Sequence, residues 1–158
     1  MKWNKERVGE PMTNEFEHMK LERQLCFLLY AGSREMTKLY KPLLDELKIT
    51  YPQYLALLLL WEHGQLSVKK MGKLLYLDSG TLTPMLKRME QSGLLTRERS
   101  HKDERSVIVK LTADGRALRE KASCIPADML KQTKLTAEEL NDLKHALQSL
   151  LATLTKEN

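Results

Sequence analysis

The chain has 158 residues, 42% hydrophobic and 30% charged, with a formal net charge of +5, the balance of a globular chain with a sizeable core rather than a disordered one. Its longest apolar run, residues 54–61, is too short to cross a bilayer, and the charged first seventeen residues lack the hydrophobic segment of a secretory signal. Two cysteines, Cys26 and Cys124, make no disulfide framework and the four histidines are scattered, which predicts a reduced, cytoplasmic setting with no metal site and no cofactor.

Residues 1–16 show no apolar periodicity and read as a flexible tail, compatible with a start at Met1 or Met12. From His18 to Leu47 leucines and Met36 recur at three- and four-residue steps, the mark of amphipathic helix. Pro42 removes one backbone donor, so two helices meeting near Tyr40 are expected. Thr50 and Pro52 then open a helix that is apolar almost all round and stops at Gly64. Ser67 caps a short helix with Val68, Met71, Leu74 and Leu75 as its buried stripe and Lys69, Lys70 and Lys73 pointing away. The next helix follows Asp78 and Ser79, buries Leu82, Leu86 and Met89, and ends at Gly93.

The period then changes. LTRERS and SVIVKL alternate like strands around a charged turn, which predicts a β-hairpin with Lys102, Asp103, Glu104 and Arg105 at its tip. Two helices are expected to finish the chain. Thr112 caps the first, which ends by Pro126; Thr136 and Glu139 form a capping box for the second, with Leu135 and Leu140 as its staple. Leu140, Leu143, Leu147, Leu150, Leu151 and Leu154 give that last helix one apolar stripe.

The order helix, helix, helix, hairpin predicts a mostly α, α+β architecture: a winged helix-turn-helix over 51–111, preceded by N-terminal helices over 17–50 and followed by C-terminal helices over 112–158. The charge agrees with this. Segment 67–110 holds 10 basic and 5 acidic residues, while the rest of the chain is balanced. Localised positive charge is the footprint of a phosphate-binding surface, although a solvated basic face looks the same on charge alone. Ser79, Thr81, Thr83, Lys87, Arg88 and Gln91 are the small or polar outward positions of the candidate recognition helix, suited to a major groove. Lys69 and Lys70 would add phosphate contacts, and Arg105 at the wing tip suits a narrow minor groove. The terminal helices carry more apolar face than the small module can cover, which predicts a two-fold homodimer on a pseudo-palindromic double-stranded operator.

The segment LDSGTLTPMLKRMEQSGLLTRERSHKDERSVIVKLTADGRAL resembles the signature of the MarR family of bacterial transcription regulators, including the Asp-x-Arg wing (Asp103, Arg105) and the Leu-Thr-x-x-Gly helix start. The N-terminal stretch from LERQLCFLLY to LLLLWE is similar to the organic-hydroperoxide-sensing, Bacillus-type branch of that family. That resemblance implies a repressor, not an enzyme, with a redox switch. Cys26 matches the sensor cysteine, and Tyr40 and Tyr51 match tyrosines that reach its sulfur across the dimer. Tyr30, one turn after Cys26, is a further lining residue. Cys124 matches the region where some relatives carry a resolving thiol; otherwise a low-molecular-weight thiol takes that part.

The residues support some of this. Leu25, Phe27, Leu28 and Leu29 surround Cys26 with apolar chain, which alone would disfavour a thiolate; phenolic donors and a helix N-terminus act the other way. A free cysteine taken by itself is more often a small buried hydrophobe. The competing functions are a repressor released by a non-covalent ligand with Cys26 a bystander, a thiol peroxidase using Cys26 as nucleophile, and a protein-interaction module. No nearby Arg or His marks a peroxidase, and the basic excess opposes the last.

Overall fold

A computed structural model describes residues 16–100 and 105–155. After two short 3-10 turns, Glu17–Met19 and Leu21–Arg23, come α1 (Leu25–Glu46), α2 (Tyr51–His63), β1 (Gln65–Ser67), α3 (Val68–Leu75) and α4 (Ser79–Gln91). The hairpin strands β2 (Leu95–Arg99) and β3 (Val107–Leu111) follow, then α5 (Ala113–Ala122), α6 (Ile125–Thr133) and α7 (Ala137–Thr155). The chain divides into two compact units, one ending at Lys38 and the other beginning at Leu39. All but one residue of the expected tail, and the wing-tip residues Lys102, Asp103 and Glu104, lie outside the described residues.

Local chemistry sets most boundaries. Thr50 and Gln53 form a reciprocal capping box at α2, with Pro52 in its first turn, and Gly64 at φ 74° ends it. Ser67 accepts Lys70 N–H at 3.2 Å, and Thr112 accepts Gly115 N–H at 3.1 Å. Thr136 and Glu139 exchange bonds of 2.9 and 3.2 Å at the start of α7. These side chains satisfy N–H groups that a helix start leaves open.

The second unit has one core. Ala56, Leu57 and Leu60 of α2 meet Met71 of α3, Leu82, Met85, Leu86 and Met89 of α4, and Leu95 and Val109 of the sheet. The sheet is antiparallel in the order β1-β3-β2, with Leu66 and Arg97 on either side of Val109 and Leu95 opposite Leu111.

Four expectations are corrected, and one strand, β1, is not among those the sequence predicts. α1 runs unbroken through Pro42; one missing donor does not stop a helix whose flanking bonds persist. The periodicity read from His18 becomes helix only at Leu25. β1 has three residues, too few to show alternation, and exists because β3 offers it a partner edge. The helix capped by Thr112 ends at Ala122, ahead of Pro126, but Pro126 then sits in the first turn of α6, an element not expected, where its missing N–H costs nothing, so three helices follow the wing rather than two. Leu74 of the expected stripe is 42% exposed.

Candidate nucleic-acid interface and thiol site

The start of α4 is held by Asp78, just ahead of Ser79. Its carboxylate accepts the Thr81 N–H and hydroxyl, both at 2.9 Å. Those bonds, the hydroxyl's foremost, hold the Asp78 carboxyl below the usual range. With one face buried, α4 turns Ser79, Thr81, Thr83, Lys87, Arg88 and Gln91 to solvent. Lys69, Lys70 and Lys73 are exposed on α3, and Arg105 on the wing. A groove of about 880 Å³ lies between α3, α4 and the wing; Lys69, Ser79, Thr83 and Arg105 line it together. Lys70, Thr81, Lys87, Arg88 and Gln91 stand outside that lining.

Two features that tie the wing down have no sequence-local signal. Glu90, near the end of α4, accepts the Arg97 backbone N–H at 2.9 Å and the guanidinium at 3.0 and 2.8 Å. One carboxylate oxygen takes both guanidinium N–H groups and the other takes the backbone N–H; these bonds hold the Glu90 carboxyl below the usual range, those from the guanidinium being the largest cause. At the wing base, a Cβ on Gly115 would stand 1.9 Å from the Leu94 carbonyl oxygen. Around this contact Thr112 N–H reaches Leu94 O at 3.2 Å, Thr112 Oγ1 donates to Gly93 O at 2.5 Å, and Trp61 Nε1 donates to Gly115 O at 2.8 Å. The glycine of the Leu-Thr-x-x-Gly sequence is thus required by backbone-to-backbone contact.

In the first unit, Cys26 is the second residue of α1 and is exposed. The Gln24 side chain donates to His18 O at 2.6 Å and Lys20 O at 3.2 Å, fixing the preceding turns to the helix start. Leu25 is 60% exposed, and Leu28 and Leu29 are also open. The apolar pocket expected around Cys26 is therefore not assembled by its own neighbours in one chain. Tyr30 is exposed, with the Arg34 guanidinium 5.5 Å from its ring centre.

In the second unit, the rings of Tyr40 and Tyr51 meet at 4.7 Å. Tyr54, 6.0 Å from Tyr40, and Trp61, 6.3 Å from Tyr54, extend the cluster and carry no sequence signal that would single them out. Burial pushes the Tyr40 and Tyr51 phenols above the ordinary tyrosine value, with the Tyr51 and Tyr54 hydroxyls adding to the effect on Tyr40. Both therefore remain O–H donors at neutral pH. Cys124 is exposed just before α6, its Sγ 3.8 Å from Lys121 O. Among the described residues no acidic, histidine and cysteine side chains gather as metal ligands, and no helix is long and apolar enough to cross a membrane.

Residues 38–122 match the family model of the transcriptional regulator SarA/Rot. The fold is similar to that of a mutant MarR from Escherichia coli complexed with operator DNA, at TM-score 0.76 and 27% identity, over 88% of this chain and 99% of that one. It is also similar to reduced AbfR bound to DNA, at TM-score 0.73 and 39% identity over 89% and 96% of the two chains; AbfR is a Staphylococcus epidermidis protein. The organic hydroperoxide resistance transcriptional regulator of Bacillus subtilis is 69% identical over 147 residues, covering 93% of this chain and all of that one. The chain belongs to the MarR family of transcription regulators. Among MarR-family proteins it is of the organic hydroperoxide resistance type, and its α3–α4–wing face is the winged helix of that family.

Proposed function

We propose that this MarR-family regulator represses transcription as a homodimer on a pseudo-palindromic operator, and that an organic hydroperoxide releases it by oxidising Cys26. The observation that carries the reading is the seat of Cys26. It lies in the first turn of α1, where backbone N–H groups lack helical partners and the helix dipole favours an anion. Its sulfur is open to reactant in the single chain.

The Cys26 thiolate attacks the distal peroxide oxygen. The O–O bond breaks, the sulfur is oxidised to a sulfenic acid, and the alkoxide leaves and takes up a proton as an alcohol. A low-molecular-weight thiol then displaces the sulfenic hydroxyl as water, leaving a mixed disulfide; Cys124 is the alternative partner. Tyr40 and Tyr51, as protonated phenols, are assigned to stabilise the thiolate across the dimer, with Tyr30 lining the pocket. The exposed Leu143, Leu151 and Leu154 of α7 and Leu25, Leu28 and Leu29 of α1 supply the apolar surface for a second copy. DNA contact is assigned to Lys69, Lys70, Ser79, Thr81, Thr83, Lys87, Arg88, Gln91, Lys102, Asp103 and Arg105.

An adduct too large for the space between subunits shifts the two recognition helices from their one-turn spacing. Release needs different affinities in the two states; a coupling of about 3 kcal/mol changes occupancy on the order of 100-fold. The test is titration of a duplex, selected from a random pool by the reduced protein, before and after cumene hydroperoxide with a small thiol. Release that is absent in Cys26→Ser is expected. Release that persists in Cys26→Ser contradicts the proposal.

A further inference from the structure

The turn between α3 and α4 carries a tyrosine where the backbone favours glycine. Tyr76 ends α3 in the left-handed region, at φ 54° and ψ 38°, with its N–H bonded to Gly72 O. Leu77 N–H reaches the same carbonyl at 3.0 Å. A residue in this position is ordinarily glycine or asparagine, because a Cβ crowds the backbone there, and a bulky side chain at positive φ is an outlier.

Burial does not compensate for the conformation. Tyr76 is 65% exposed, while its neighbours Leu75 and Leu77 pack against the core. Lys48 and Lys134 also lie at positive φ, but those chains keep a hydrated charge in water. An aromatic ring held in solvent contributes nothing comparable to the isolated fold. An unfavourable conformation that folding does not use is a pointer to a role outside folding. Tyr76 lines the same groove as Lys69, Lys73, Thr83 and Arg105, so a polyanion drawn to those cations meets the ring.

We propose that Tyr76 is a DNA-backbone contact, its phenol O–H donating to a phosphate oxygen and its ring lying against the adjoining sugar, so that it sets how α4 seats on the duplex. This rests on the DNA-binding reading above. Tyrosine is among the side chains that make such contacts, and they position a protein without reading sequence. The contact is also uncharged. Losing it weakens binding to every sequence but leaves the slope of log affinity against log salt unchanged, because no counterion is involved. Losing a lysine–phosphate contact lowers that slope by about 0.9.

The experiment uses the full-length reduced protein, fluorescence anisotropy on the selected duplex and on a random duplex at several salt concentrations, and thermal melting. Tyr76→Asn keeps a residue tolerant of the left-handed region, and Tyr76→Phe keeps the ring. Tyr76→Asn is expected to melt at or above wild type and to bind both duplexes about tenfold more weakly at unchanged salt slope. Tyr76→Phe, losing one hydrogen bond, is expected to bind about threefold more weakly. Wild-type affinity in Tyr76→Asn, or a fall in slope like that of Lys69→Ala, overturns the proposal. If Tyr76→Asn melts lower, Tyr76→Phe decides, and undiminished affinity in it overturns the proposal. Wild-type protein that binds neither duplex refutes the DNA-binding reading itself, a result distinct from variants that bind as wild type does.

Discussion

Replacing Gly115 by alanine sets two effects against each other. Gly115 is inside α5, where alanine is favoured over glycine by about 1 kcal/mol on helix propensity alone. The new Cβ would stand 1.9 Å from Leu94 O and 3.0 Å from Leu94 C, and real Cβ contacts essentially never fall under 3.0 Å. The obstacle is backbone, so no side-chain rotation relieves it, and the two segments must part by more than an ångström. That opening stretches the 3.2 Å Thr112–Leu94 bond beyond hydrogen-bonding range and strains the Trp61 Nε1 bond to Gly115 O. Each lost bond costs about 1 kcal/mol, and overpacking adds roughly 1–3 kcal/mol. The clash wins, with a net destabilisation of about 2–4 kcal/mol after the helix gain is subtracted. For a chain of this size that lowers Tm by roughly 5–15 °C. The measurement is urea and thermal unfolding at fixed protomer concentration, since a dimer's stability depends on it. A Gly115→Ala protein as stable as wild type, or more so, would refute the close-approach argument.

Glu90→Gln should cost about 1 kcal/mol at neutral pH, a modest figure because the pair is partly exposed and screened. The folded Glu90 carboxyl is depressed, so its contribution is present above the unfolded value of about 4.3 and is lost as pH falls below it. Urea midpoints of wild type and variant should therefore converge on acidification; a gap constant down to pH 3 would contradict the assignment. Arg105→Ala should weaken operator binding by roughly 1–3 kcal/mol if the side chain enters a minor groove; undiminished affinity in a folded variant counts against the wing contact. Replacing Leu147 and Leu150 together by Asp should give monomers or unfolded chains on sedimentation, because an unpartnered charge in an interface costs about 3–5 kcal/mol. A double variant that remains dimeric would show that α7 is not the interface.

Much of the DNA-binding module is legible in the sequence because its boundaries are local chemistry. Thr50 with Pro52, Ser67, Thr112 and Thr136 with Glu139 each announce a helix within four residues, and Leu82, Leu86 and Met89 mark the buried face of α4 by spacing alone. What escapes is non-local or ambiguous. β1 is strand only because β3 lies beside it. Proline signals helix start and helix stop alike: Pro126 marks the end of α5 but also opens α6, and Pro42 reads as a break in a helix that continues. Residues 7 apart in Glu90–Arg97 and 54 apart in Trp61–Gly115 have no pairwise signature in one sequence. The nearness of Tyr40 and Tyr51 comes from family resemblance, whereas Tyr54 and Trp61 need coordinates to join them.

In the proposed switch, oxidation at Cys26 and loss of DNA are one event. Intact-protein and peptide mass spectrometry across a hydroperoxide titration, with duplex occupancy read on the same samples, tests it directly. A small-thiol adduct, or a link to Cys124, is expected to accumulate on Cys26 in step with release, and Cys26→Ser is expected to stay bound and unmodified at residue 26. Release that proceeds with Cys26 still reduced, the modification lying on Cys124 or a methionine, would contradict it.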